Sequence, residues 1–266
     1  MRSSTGRRTA ADTMNTTIFV TWNASKEQPL TNIIIDEKPL FDISVFDYSG
    51  SLAKHQQSSS VTIKSGSWER RCTILSGATE GKGEILKSIA NNADNTQSSY
   101  IGIFDDDILI RVSDINRAVL IGEQSGFASF QPSLAKCSHY SYEFTLNQQG
   151  TMARIVPWVE IMMPIIKTKL LMAAKPFLGS NISSWGLDCY VLPMLALTEK
   201  ISGHHAVIDA SIASHLRKVS SGDKIYHNGL TASQEMMVTK SACKQYLAHK
   251  GIQLDECDAL RELLAF

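Results

Sequence analysis

Several things are missing from this chain, and each absence removes a class of protein. No apolar run reaches the roughly 18–20 residues that cross a bilayer; the richest, Ile155 to Met163, is broken by Pro157 and Glu160. Cysteine is sparse. Cys72, Cys137, Cys189, Cys243 and Cys257 are scattered, odd in number and never spaced CxxC, which argues against structural zinc and for reduced thiols in the cytoplasm. Net charge is absent as well: 26 Lys+Arg stand against 26 Asp+Glu. No global basic field exists to hold nucleic acid, so none is expected as a partner, although peripheral association with a membrane stays open. Gly81-Lys82-Gly83 lacks the GxxxxGK[ST] spacing of a phosphate loop, which counts against a nucleotidyltransferase. The basic, Ser/Thr-rich N-terminus carries no apolar stretch of a secretory signal. Residues 1–14 are expected to be a disordered tail, explained by a vector remnant or a start at Met14, with a transit peptide as the alternative.

What remains is ordinary for a globular protein: 266 residues, 43% hydrophobic and 20% charged, enough to bury a substantial core. The first half alternates strand and helix signals. Strands are expected over 17–22 and 42–46, short strands over 61–63 and 72–75, a helix over 81–92, and a strand over 100–104. A helix over 113–124 follows, with Ser113 as its N-cap and an apolar stripe at Ile115, Ala118, Val119 and Gly122. A strand over 127–131 should stop at Pro132. Residues 140–151 fit a hairpin or lid, and helices are expected over 164–177 and 186–197. A short strand at 207–209 and two closing helices complete the chain. This order describes an α/β protein with a mostly parallel central sheet and helices on both faces.

The most informative feature is Asp105-Asp106-Asp107, which ends the apolar run Tyr100 to Phe104. Such a run fits a strand buried on both faces, and ligands of open α/β sheets gather beyond the carboxyl ends of strands. Adjacent carboxylates repel unless a cation or donors neutralise them, and hard divalent ions do so while bridging to phosphate. Alternation in extended chain lets Asp105 and Asp107 share a target while Asp106 points elsewhere. A solvated acidic turn is the plain alternative.

Four islands follow one another in order: Phe104-Asp105-Asp106-Asp107-Ile108, Val159-Glu160-Ile161-Met162-Met163-Pro164, Trp185-Gly186-Leu187-Asp188, and Val207-Ile208-Asp209-Ala210 leading to His215. Together with Phe41 to Gly50 and Gln131-Pro132, they resemble an uncharacterised plant and bacterial family with "DED", "VEIMAP", "WGLD" and "VVD…VH" motifs. The resemblance covers about residues 17–222, and such proteins look like GT-A-type glycosyltransferases.

It implies one GT-A-like, Rossmann-like domain over 15–266. The nucleotide-binding half would lie at about 15–131, the acceptor half at about 132–230 and C-terminal helices at 231–266. It further implies transfer of a sugar from a nucleotide-sugar donor to a glycan or lipid-linked acceptor, with Mn²⁺ or Mg²⁺ as cofactor. A non-catalytic carbohydrate- or nucleotide-binding protein and a metal-dependent hydrolase are the alternatives. Asp105, Asp107 and His215 are the implied metal ligands, and Asp105 and Asp106 also face the nucleotide. Asp188 and Glu160 are the candidate catalytic carboxylates. Asp188 equally fits a helix cap and Glu160 a structural ion pair. Trp185 and Gln131 are placed on the acceptor side, and a lone His215 also fits an ordinary hydrogen-bonded residue. Asn23, Asp47 and Lys82, each at a strand end or helix start, are candidates for reading the base, ribose or phosphate, or else plain polar loop positions.

Overall fold

The computed structural model describes residues 15–26, 28–54, 60–65, 68–93, 97–253 and 262–264. The expected tail over 1–14 and most of the second closing helix lie outside these residues. In chain order the elements are β1 (Thr16–Trp22), β2 (Ile33–Ile34), β3 (Asp42–Asp47), α1 (Ser51–Lys54), β4 (Ser60–Ser65), β5 (Trp68–Ser76), α2 (Lys82–Ala93), β6 (Tyr100–Phe104), β7 (Ile108–Arg111), α3 (Val112–Ser125), β8 (Ser129–Leu134), β9 (Arg154–Val156), β10 (Ile165–Lys167), α4 (Thr168–Ala173), α5 (Lys175–Leu178), a π-helical turn (Leu187–Val191), α6 (Leu192–Thr198), β11 (His205–His215) and α7 (Ala232–His249).

These strands form one mixed sheet in the order β2-β7-β11-β8-β10-β6-β1-β3-β5-β4, with β9 also on β11. The centre is parallel: β1 lies between β3 and β6, β5 continues beyond β3, and β8 runs parallel to β11. Alternation along the strands sorts side chains onto two faces. Phe19, Ile101 and Ile103 meet α2 and α4 to α7 on one side. Ile18, Val20, Tyr100 and Phe104 meet the Ile115, Ala118 and Val119 stripe of α3 on the other. The mostly parallel sheet covered on both faces is therefore present.

Local expectations fail where tertiary contacts override local signals. Residues 165–167 start no helix; they insert antiparallel between β6 and β8, and the helical turns begin only at Thr168. Pro132 lies inside β8 rather than ending it. Of β8, strand β10 pairs only with Ser129 and Phe130, so the missing N–H of Pro132 falls beyond that ladder. Ser113 does not cap α3, whose N-cap is Arg111; its hydroxyl and amide bond Asp36 instead. Residues 140–151 form no hairpin but a loop with a 3₁₀ turn at Glu143–Thr145. The short strand expected at 207–209 spans His205 to His215, with a bulge between Ile208 and Ile212. Among the described residues no helix is long and apolar enough to cross a membrane.

Candidate active site

Strand β6 ends at Phe104, and Asp105 to Asp107 turn the chain into β7. β7 pairs with the last residues of β11, Ile108 opposite His215. This pairing brings the acidic triplet to a histidine more than a hundred residues away. His215 Nε2 lies 3.2 Å from Asp107 Oδ2, while Nδ1 lies 3.0 Å from the His139 carbonyl. A proton on Nδ1, donated to that carbonyl, leaves the Nε2 lone pair facing a carboxylate, an arrangement that calls for a cation or a second proton. The His215 pKa is accordingly raised: burial opposes the charged ring, but Asp107 outweighs it.

Each acid of the triplet has its own partner. Asp105 takes a 2.5 Å contact from Lys82 Nζ, which also donates to the carbonyls of Ile103 and Met162. Burial raises Asp105 to about 6, with Lys82 pulling the other way. Asp106 accepts from the Tyr48 hydroxyl at 2.7 Å and pairs with the Arg217 guanidinium. Asp107 accepts from Arg217 Nε at 2.7 Å. Burial pushes Asp107 up, but His215 and Arg217 hold it down at about 2. Its second oxygen, Oδ1, is buried without a hydrogen-bond partner.

The glycines flanking Lys82 serve packing rather than phosphate. A Cβ on Gly81 would sit 2.3 Å from the Ile182 carbonyl oxygen, and one on Gly83 1.9 Å from that of Asn181. Only bare backbone allows the start of α2 to approach this loop, where Gly83 N–H donates to Ile182. The approach directs Lys82 into the site.

The opposite wall comes from the segment 181–191. Glu235 of α7, itself buried, accepts from the amides of Ile182 and Ser183 and from Asn228. Gly186, at φ 84°, turns the chain into the π-helical turn that carries Asp188. Gly186 holds the N-cap position, so Asp188 is no cap; it sits inside the turn and accepts from the Cys189 amide at 2.8 Å. Burial raises Asp188 to about 6, partly offset by surrounding amides. Glu160 is raised to about 7, again chiefly by burial, then by nearby Asp188 and Asp105 against Ser141 and His215. No ion pair holds Glu160 among the described residues; its Oε2 is buried without a partner.

A cavity of about 550 Å³ joins the two walls, lined by Lys82, Asp105, Asp107 and His215 on one side and Glu160, Trp185 and Asp188 on the other. Four expected residues lie elsewhere. Gln131 is fully buried outside the lining; its Oε1 accepts the Glu160 amide at 2.5 Å, so it supports the carboxylate from behind. Asp47 is fully buried, its oxygens taken by the amides of Ala24, Ser49 and Leu52 and the hydroxyls of Ser49 and Ser76. It knots three strand ends together and has no oxygen left for a ribose. Asn23 Oδ1 accepts from Ser25 within its own turn, and Asp106 faces a separate narrow cleft with Thr21 and Asn32.

The residues that sequence reading missed are Arg217, Lys218, Ser141 and Tyr142. The cations announce themselves only as a basic pair two residues after His215, and Ser141 and Tyr142 by no motif.

Among solved structures, the chain is similar to GalNAc-T7 in a crystal structure with UDP, GalNAc and Mn²⁺ (TM-score 0.46, 7% identity, 79% of this chain and 45% of that one). It is also similar to S. aureus TarS 1-349 (TM-score 0.43, 11% identity, 75% of this chain and 59% of that one). The chain thus spans about half the length of these structures. No protein-family model and no curated protein sequence matches it.

Whether the site suits a divalent cation follows from its donors. No group of three His, Cys, Asp or Glu side chains is placed to hold a metal among the described residues. Asp107 and His215 nevertheless offer an unpartnered buried carboxylate oxygen beside an imidazole nitrogen. Oxygen with imidazole suits Mn²⁺ better than Mg²⁺, and an incomplete protein shell leaves positions for phosphate oxygens. The residues fit such an ion if a phosphorylated ligand completes it.

Proposed function

We propose that the protein is a metal-dependent glycosyltransferase that moves a sugar from a nucleotide-sugar donor to a glycan or lipid-linked acceptor. The supporting observation is the single cavity with opposed chemistries: an acid–imidazole–lysine wall suited to a cation and diphosphate, and a wall of two protonatable carboxylates beside a tryptophan. Sugar transfer needs both, because charge builds on the departing diphosphate while the acceptor hydroxyl loses a proton.

Asp107 and His215 would hold Mn²⁺ or Mg²⁺, with Asp105 adjacent; the ion, when bound, supplies charge stabilisation to the leaving diphosphate. Lys82 offers a fixed ammonium at the same wall. Trp185 gives the sugar or acceptor a flat apolar face. Asp188, raised to about 6, is ionised near neutrality yet basic enough to take the acceptor proton. Glu160, raised to about 7, is the second proton acceptor, held in place by Gln131.

Incubation with a panel of nucleotide sugars, Mn²⁺ and candidate glycan or lipid-linked acceptors tests this reading. Nucleoside diphosphate release that requires both acceptor and Mn²⁺ is expected. Release without any acceptor would instead identify a hydrolase, and donor binding without turnover a carbohydrate- or nucleotide-binding protein.

A further inference from the structure

Beyond His215 the chain crosses the cavity mouth as an exposed strap, and Lys218, Val219 and Ser220 line the cavity. Its attachments are largely ionic. Arg217 grips Asp106 and Asp107 at one end, and Lys224 and His227 meet Glu80 at the other. Between them Gly222 lies against the Trp185 ring.

The charge at the acidic end is already largely offset, with Lys82 and Arg217 set against three carboxylates. Lys82 neutralises Asp105, and one guanidinium spans Asp106 and Asp107, using its Nη2 on the first and Nε on the second. A divalent cation arriving alone at Asp107 would meet Arg217 on the other carboxylate oxygen. It would add two positive charges where Lys82 and Arg217 already leave the three carboxylates a single net negative charge.

We infer that Arg217 is a built-in counter-ion that occupies the acidic strand end in place of the cation. It lets go only when a diphosphate arrives to give it a new partner. This rests on the glycosyltransferase reading of the cavity and deepens it: cation and diphosphate bind as a coupled pair, and Arg217 is a positioning residue that enforces the coupling. More than half of the Arg217 side chain is exposed (58%), so it can exchange one anion for another while staying solvated; Asp106 keeps the Tyr48 hydroxyl, and Asp107 gains the cation. Guanidinium suits both partners, since its fork matches carboxylate and phosphate alike. Coupling of this kind is reciprocal: whatever the diphosphate does for the cation, the cation does for the diphosphate.

The test is a calorimetric Mn²⁺ titration of wild type, Arg217→Met and Lys218→Met, each with and without saturating UDP. In wild type, UDP should tighten Mn²⁺ by about 5- to 100-fold, the usual range of such coupling. Arg217→Met should bind Mn²⁺ alone several-fold more tightly than wild type and lose most of the UDP effect. Lys218→Met, removing a neighbouring charge of the same sign, should show neither change to that extent. Equal Mn²⁺ affinity in wild type and Arg217→Met without UDP overturns the counter-ion role and leaves the cation site standing. Equal gains in both variants reduce the effect to general charge and overturn it too. Absence of Mn²⁺ binding in all three proteins, with or without UDP, overturns the cation site itself and the counter-ion role with it.

Discussion

At the scale of single residues, a buried carboxylate without an ion-pair partner and a paired one have opposite pH signatures. Glu160 has its folded pKa raised to about 7, above the usual value near 4.3. The folded state then binds more protons than the unfolded one across that interval, and stability falls as pH rises from about 4.5 to about 7. Glu160→Gln should remove this fall and raise stability above pH 8 by on the order of 3 kcal/mol, read as the pH dependence of urea unfolding; an unchanged profile would mean that Glu160 is not held in an unfavourable charged state. Asp107 behaves in reverse. Held at about 2 by His215 and Arg217 against the push of burial, it stabilises the fold above pH 4, and that contribution disappears as pH drops through 2. Asp188→Asn keeps a hydrogen-bond acceptor for the Cys189 amide but cannot take a proton. A transfer rate lower by about 10²- to 10⁴-fold with donor binding kept is expected; wild-type turnover would hand the base to Glu160.

At the scale of elements, the site depends on two segments that pack backbone against backbone. The start of α2 reaches the 181–183 segment through Gly81 and Gly83, and α7 holds the same segment through Glu235. Gly83→Ala forces a methyl group onto a carbonyl oxygen and should cost about 1–3 kcal/mol, as overpacking does. Glu235→Ala strands two buried amides, each worth about 1–3 kcal/mol, and loosens the turn that aims Asp188. Thermal unfolding checks both, and a loss of only a few tenths of a kcal/mol would show that the segment holds itself. Both elements were legible as helices, since the Ile85, Leu86 and Ile89 stripe of α2 is regular. Their function was not legible, because Gly81-Lys82-Gly83 lacks the spacing of a phosphate loop and its packing role shows only once the facing carbonyls are seen. The Ile165 to Lys167 strand was misread for a related reason. Three apolar-flanked residues have no period of their own, and pairing with β6 and β8 decides their state.

At the scale of the whole molecule, the parallel centre of the sheet was readable because buried parallel strands are short runs rich in apolar and β-branched residues, as over Thr16 to Trp22 and Tyr100 to Phe104. The Asp105–Asp107 end was readable for the same reason, being a sharp change from apolar to acidic. What sequence could not supply was the return of the chain: the pairing of β7 with the end of β11 that sets His215 and Arg217 against the triplet, and the burial that ties Asp47 and Gln131 into internal hydrogen bonds. These are consequences of long-range register, which no local pattern encodes.

The central claim, a cation-dependent nucleotide site at Asp107, is tested most directly by thermal unfolding of wild type and Asp107→Ala against a panel of nucleoside diphosphates and nucleotide sugars, with and without Mn²⁺. A ligand near 100-fold above its Kd stabilises by about 2.7 kcal/mol, roughly 5–10 °C for a chain of this size. At least one nucleotide should produce such a shift in wild type only with Mn²⁺, and none in Asp107→Ala. A shift of equal size without Mn²⁺, or retained in Asp107→Ala, would contradict the assignment.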